Sequence, residues 1–293
     1  MDGSNILALP DVDRNGVADT AIVAATGFSF GHDVRFHRDT MYVSQESGVT
    51  KLWRSSGSGL VYDRRRIIIN KAQDQPHQIG GNHRTRTLVL DTVNSRLFVS
   101  VGSRGNADRE MTPGLERAII ETYDFDGTNR RIYASGIRNA VGMTLHPRTG
   151  RLWANNNGSD KQGNNIPGEW IDLIRDGGFY GYPFAFHYKQ YFDLTREDYP
   201  DILPLTANDS ALVAGTQPPA ALVTAHSAPM AIQFSHSGMP AEFRNGAFVV
   251  LRGSWNRVPA TGSKLVYLAF DDDTDTVANS VRDVLTGFLP DSN

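Results

Sequence analysis

The sequence predicts an all-β fold, a β-propeller of four-stranded antiparallel blades forming a single domain over residues 1–293, and three observations predict it. First, a short apolar strand preceded by a turn recurs as Met41-Tyr-Val-Ser, Leu97-Phe-Val-Ser and Leu152-Trp-Ala-Asn, at offsets of 56 and 55 residues. Second, a fourth copy, Ala247-Phe-Val-Val, arrives 95 residues later, and an aromatic and polar segment read as an insertion over residues 184–224 accounts for the excess. Third, an alternating strand lies ahead of each turn, at His32–Phe36, Thr85–Leu90, Val141–His146 and Pro229–Phe234. The period is too long for the single hairpins of a β-sandwich, the other arrangement rich in short strands.

Taken along the chain, Leu7–Ala25 reads as the outer hairpin of a partial first blade over residues 1–28, with a polar turn between Ile6–Pro10 and Thr20–Ala24. Four well-formed repeats follow, about five blades' worth of sequence in all. Helix is expected only locally, as a turn or two over Gly168–Arg175. A propeller must close its ring or leave open edges, so the chain is expected to be short at both ends.

Composition narrows the function classes. The 293 residues are 40% hydrophobic and 21% charged, an ordinary globular balance. A net charge of −3 offers no basic field for nucleic acid. With no cysteine, disulfides, thiolate metal sites and a cysteine nucleophile are excluded. No apolar run reaches membrane-spanning length. Met1–Asn5 has neither a charged nor an apolar leader pattern, and a signal peptide removed from a longer precursor is compatible with this start. No HExxH pair and no Gly-x-Ser-x-Gly elbow occurs, which argues against a zinc hydrolase and a serine hydrolase.

Four strings at repeat edges carry the candidate chemistry: Gly-Asn-His-Arg-Thr-Arg from Gly81, Gly-Ile-Arg-Asn-Ala-Val-Gly from Gly136, Asn-Asn-Asn-Gly-Ser-Asp from Asn155 and Gly-Gly-Phe-Tyr-Gly-Tyr-Pro from Gly177. His83 begins a repeat, where a propeller aims side chains at its central channel. It is either a general base, its ordinary pKa lying near neutrality, or a polar loop residue. Arg138 and Asn139 hold the matching position one repeat on. A permanent cation beside an amide stabilises negative charge developing on an oxygen, and the alternative is an ion pair with a neighbouring blade. In Asn157-Gly158-Ser159-Asp160, Gly158 frees the backbone to present carbonyls to a hard cation, or makes a plain turn. Asp11, Asp13, Asn15 and Asp19 place oxygen donors at positions one, three, five and nine of a calcium-type loop. Position twelve is Ile22 rather than a bidentate Glu, so the segment reads as a hairpin turn, with a peripheral Ca²⁺ site as the alternative. Aromatics from Phe179 to Phe192 suit the apolar faces of sugar rings or pad the space between blades. Trp255 and Arg257 follow the fourth strand, with Gly253 in register with Ser103 and Gly158.

Together with Ala225-His-Ser-Ala-Pro and Gly253-Ser-Trp-Asn-Arg257, these strings resemble the soluble quinoprotein sugar dehydrogenases, most closely the sorbosone-dehydrogenase-like branch. The resemblance covers nearly the whole chain and implies six blades around a pyrroloquinoline quinone (PQQ) cofactor with a cofactor-bound Ca²⁺. It implies His83 as the base that removes a sugar hydroxyl proton. Arg138 and Asn139 then contact the quinone oxygen, with Asn157, His32, Trp255 and Arg257 as further cofactor contacts. The backbone carbonyls of Gly158 and Ser159 hold the Ca²⁺. A sugar or sugar aldehyde would be oxidised and an external acceptor (quinone, cytochrome or dye) reduced, in the periplasm or outside the cell. The chain departs from the family pattern at Arg252, where a His is usual, and ends at Asn293, where relatives continue into a last blade with further cationic contacts. Two other functions stand beside this one. A propeller lactonase or hydrolase requires carboxylate metal ligands, and no acidic residue stands at a repeat start. A non-catalytic carbohydrate- or protein-binding propeller requires no cofactor.

Overall fold

The β-branched and aromatic runs of the four repeats form four antiparallel sheets in the computed structural model, which describes residues 5–57, 59–110, 114–272 and 274–289. Strands β1 (Asn5–Ala8) and β2 (Ile22–Thr26) pair antiparallel around the polar turn, matching the expected hairpin. The first sheet contains β3 (Gly31–His37), β4 (Thr40–Gln45), β5 (Gly48–Trp53) and β6 (Arg64–Asn70), each paired with the next. A single helical turn, α1 (Lys71–Asp74), capped by the Asn70 side chain, leads away from it. The second sheet contains β7 (Leu88–Asp91), β8 (Arg96–Val101), β9 (Ile119–Asp124) and β10 (Arg131–Ser135). The third begins with β11 (Met143–Leu145), β12 (Leu152–Asn156) and β13 (Glu169–Leu173). The short strand β14 (Gly178–Phe179) then returns to the edge of the second sheet, pairing parallel with β10.

The segment after Pro183 carries the hairpin of β15 (Ala185–Phe186) and β16 (Gln190–Tyr191) and the helix α2 (Ala207–Ala214), whose Thr206 and Asp209 form a capping box. Phe184, Phe192, Tyr199, Ile202 and Val213 give it a small core of its own. At its end β17 (Ala221–Val223) pairs with β13 and completes the third sheet. The fourth sheet is β18 (Pro229–Phe234), β19 (Gly246–Leu251), β20 (Lys264–Ala269) and β21 (Ser280–Leu285).

The expected helix over Gly168–Arg175 is instead β13. Its five residues are all buried, so the run lacks the alternation that marks a half-exposed strand.

The first strands of the sheets touch in succession, β3 to β7, β7 to β11 and β11 to β18, so the sheets radiate from a shared inner edge. Apolar residues fill the wedges between them. Tyr42, Ile69, Leu88 and Leu97 lie between the first and second sheets, Phe98, Ile120, Leu152 and Trp170 between the second and third, and Trp153, Phe234, Val249 and Leu268 between the third and fourth. Each such side chain contributes roughly 1.5–3 kcal/mol on burial. All inner strands start at one end of this edge, and the second strands finish there. The segments entering β7, β11 and β18 therefore meet those leaving β8, β12 and β19. Ser103 N donates to Arg138 O at 2.8 Å, Asn157 N to Asn139 O at 3.0 Å and Gly253 N to Ser227 O at 2.9 Å.

Candidate active site

Those meeting segments enclose a cavity of about 280 Å³, lined by His83, Thr85, Arg138, Asn139, Asn157, Gly158 and Trp255, with Asp160, Glu169, Arg252 and Asn256 among the rest.

His83 is fixed from behind. Its Nδ1 lies 3.0 Å from the Ser103 carbonyl and 2.9 Å from Ser103 Oγ. A carbonyl only accepts, so Nδ1 carries the proton and Nε2 keeps the lone pair. Ser103 Oγ donates to Gly105 O at 2.7 Å. Beneath the loop two buried arginines collect carbonyls. Arg117 donates to Gly80 O at 3.0 Å and Gly102 O at 3.0 Å, and Arg86 to Thr85 O at 2.8 Å and His83 O at 3.2 Å. Burial, with the Arg138 cation next in importance, pushes the His83 pKa down to about 3. The imidazole is therefore neutral at physiological pH. Gly102 is required by close approach, since a Cβ there would lie 2.5 Å from His83 Cβ and 2.9 Å from Asn139 Oδ1.

Arg138 is 5% exposed and all its nitrogens are engaged. Nε donates to Asn106 O at 3.1 Å and Nη1 to Gly158 O at 2.7 Å. Nη2 reaches Asn106 Oδ1 and Asp160 Oδ2, each at 3.0 Å. Gly158 is held at both ends, because its N–H donates to Glu169 Oε2 at 2.6 Å. Burial pushes the Glu169 carboxyl up to about 8. Ser159 is fully buried behind Gly158, its Oγ unpartnered. Three buried polar atoms of the lining have no protein partner among the described residues: Asn157 Oδ1, Asn256 Oδ1 and Thr85 Oγ1. Native proteins rarely leave such atoms unpaired.

The structure thus brings His83, Arg138, Asn139, Asn157, Gly158 and Trp255 together, with Trp255 at the mouth and 73% exposed. It does not bring His32 or Arg257 into the lining. His32 Nε2 bonds Thr87 Oγ1 at 3.0 Å, between β3 and β7. Arg257 turns outward and ties its loop to the third sheet through Asn164 O and, at 2.9 Å, Asn165 Oδ1. Asp11, Asp13 and Asp19 sit apart, in the β1–β2 turn, with one carboxylate oxygen from each lying within 4.8 Å of the others. There Asp11 accepts from Asn15 N at 3.0 Å and from Gly16 N at 2.9 Å.

No acidic residue stands at a repeat start, but Asp160 and Glu169 reach the cavity lining from the segment after β12 and the start of β13. Neither is a free ligand. Asp160 is bound to Arg138 and to Asn256 Nδ2 at 2.5 Å, and Glu169 to the Gly158 amide. Sequence reasoning missed Asp160, Asn106 and Ser103 as parts of the site because their partners lie 20 to 96 residues away. The register of Ser103 with Gly158 and Gly253 was the available signal.

The chain is similar to known proteins over nearly its whole length. A family model described as TrAA12-like matches residues 10–288. An uncharacterized protein of Borreliella burgdorferi is 30% identical over 209 residues, covering 71% of this chain and 51% of the relative. A pyrroloquinoline quinone-dependent sugar dehydrogenase of Hypocrea jecorina is 26% identical over 267 residues, covering 76% and 59%. The chain therefore spans between half and three fifths of these relatives' lengths. The calcium structure of the Trichoderma reesei Carbohydrate-Active Enzymes Family AA12 protein superposes with a TM-score of 0.75 at 22% identity, covering 96% of this chain and 77% of that one.

Proposed function

This chain belongs to the TrAA12-like family of PQQ-dependent soluble sugar dehydrogenases, and from that membership we propose that it oxidises a sugar or sugar aldehyde with His83 as general base. One observation carries the reading. His83 is held as a neutral imidazole with Nδ1–H on Ser103, in a cavity that is also lined by the fixed cation of Arg138.

Arg138, Asn139, Asn157 and Arg252 offer charge and amides to a flat anionic quinone. The Gly158 carbonyl has a second lone pair for Ca²⁺ beside its bond to Arg138, with the Ser159 carbonyl as partner. When bound, PQQ with Ca²⁺ supplies a two-electron acceptor and a Lewis acid. The protein's own part is positional and electrostatic. His83 Nε2 takes the hydroxyl proton as the C–O bond gains double-bond character, and Ser103 keeps the ring from turning. The resulting imidazolium is disfavoured by Arg138, so the proton is readily passed on. Arg138 and Asn139, both in the lining, would stabilise negative charge growing on an oxygen of the bound quinone. Trp255 at the mouth offers a ring face to the sugar.

The family resemblance further supports a six-bladed ring for the whole protein, an external electron acceptor and a periplasmic or secreted location. Dye-linked oxidation in the presence of PQQ and Ca²⁺ tests the proposal. We expect dye reduction with at least one sugar or sugar aldehyde, and a fully reconstituted protein that reduces no dye with any of them refutes it.

A further inference from the structure

We infer that Asp160 is a positioning residue that ties the fixed cation of the cavity to the amide of its rim and thereby sets which atoms the cavity presents. Four separate segments meet on it. Its Oδ2 accepts from Arg138 Nη2 at 3.0 Å, in the segment entering β11. Its Oδ1 accepts from Asn256 Nδ2 at 2.5 Å, in the loop leaving β19. Its backbone N–H donates to Asn106 Oδ1 at 2.7 Å, and its carbonyl accepts from Asn106 Nδ2 at 3.1 Å, in the loop leaving β8. The same carbonyl accepts the Tyr199 hydroxyl at 3.0 Å, from the aromatic segment.

The chemistry of a carboxylate makes this arrangement directional. An ionised carboxylate can only accept, so it turns the NH₂ end of Asn256, a residue of the cavity lining, toward itself and leaves the buried Oδ1 end without a protein partner. The same charge fixes the plane of Arg138 through a charge-assisted bond. One side chain therefore holds both the cation and the amide of the cavity rim.

The functional half rests on the dehydrogenase reading, and the structural half does not. In protein without quinone, ¹⁵N-detected hydrogen exchange at the Arg138 Nη2 protons, which Asp160 accepts, should accelerate roughly ten-fold or more in Asp160→Asn and stay unchanged in Asn256→Ala, with both variants folded. In the reconstituted enzyme both variants should raise KM for the sugar roughly ten-fold, with a smaller change in kcat. Because Asp160 would then be Asn, the second change Asn256→Asp restores a carboxylate to the pair and should recover most of the KM. Unchanged Arg138 exchange in Asp160→Asn overturns the positioning role, and so does an unchanged KM. If wild type turns over no sugar, the dehydrogenase reading fails, while the exchange measurement still decides the structural half.

Discussion

The buried polar cluster joining the first and second sheets and the cluster lining the cavity, drawn from loops of the second, third and fourth sheets, are both built on buried charges, yet they differ in what they adjoin. In the first, Lys71 is wholly buried and its ammonium is engaged by Gln78 Oε1 at 2.6 Å, by Glu121 and by Tyr123 OH at 3.3 Å. Glu121 also accepts from Gln78 Nε2, Tyr123 OH and Arg130 Nε, each at 2.9 Å. In the second, Arg138 and Asp160 are equally engaged, but Asn157 Oδ1, Asn256 Oδ1 and Thr85 Oγ1 are not. The first cluster locks two sheets together, and the second lines a cavity. Burial and charge are common to both, so the adjoining open volume is what separates a structural network from a candidate site.

The comparison breaks most visibly at Glu121. Glu121→Ala leaves the Lys71 ammonium buried without its counter-ion and should cost about 3–5 kcal/mol by denaturant titration. The folded fraction should still take up quinone with unchanged affinity. His83→Ala should do the reverse, lowering turnover roughly 10²–10⁴-fold while changing unfolding free energy by less than about 1 kcal/mol. Gly102→Ala falls between, since its methyl would collide with both His83 and Asn139. It should cost about 1–3 kcal/mol of stability and also reduce turnover.

Acid should separate the clusters along the pH axis. Burial disfavours the Glu121 carboxylate, but Lys71 and Arg130 more than offset this and hold its pKa at about 2, against an ordinary 4.5. The unfolded chain therefore binds the proton first, and this contribution, complete above pH 4.5, is lost as pH falls toward 2. His83 is depressed to about 3 from 6.5, so its share is complete above pH 6.5 and is lost as pH falls toward 3. His83→Ala should flatten the upper part of the pH–stability curve, and Glu121→Gln the lower part. The smallest effect is expected at Trp255. Its exposed ring contributes little to folding, so Trp255→Ala should leave stability within about 0.5 kcal/mol and raise KM several-fold.

The four repeats were legible because an apolar strand preceded by a turn recurs along the chain, with alternation as a weaker sign, seen in Pro229–Phe234 only from Ile232 to Phe234. The strand Glu169–Leu173 was not, because a strand buried on both faces carries no alternation. His83, Arg138 and Asn139 were legible because each begins a repeat, and repeat starts converge at one end of the inner edge. His32, which the resemblance offered as a cofactor contact, bonds Thr87 and lies outside the cavity lining. Asp160 and Asn106 were hidden for a different reason. Their roles are hydrogen bonds between loops of different sheets, which no periodicity encodes.

The central claim is that the open cluster receives an anionic quinone with His83 beside it. Absorbance titration of PQQ into the protein with Ca²⁺ present tests this most directly, run on wild type, His83→Ala and Arg138→Ala. The account predicts saturable uptake by wild type and His83→Ala, with dye reduction by wild type alone, and uptake by Arg138→Ala weakened ten-fold or more, on the order expected for a lost charge-assisted contact. Absence of saturation in wild type, or equal uptake by Arg138→Ala, would contradict it.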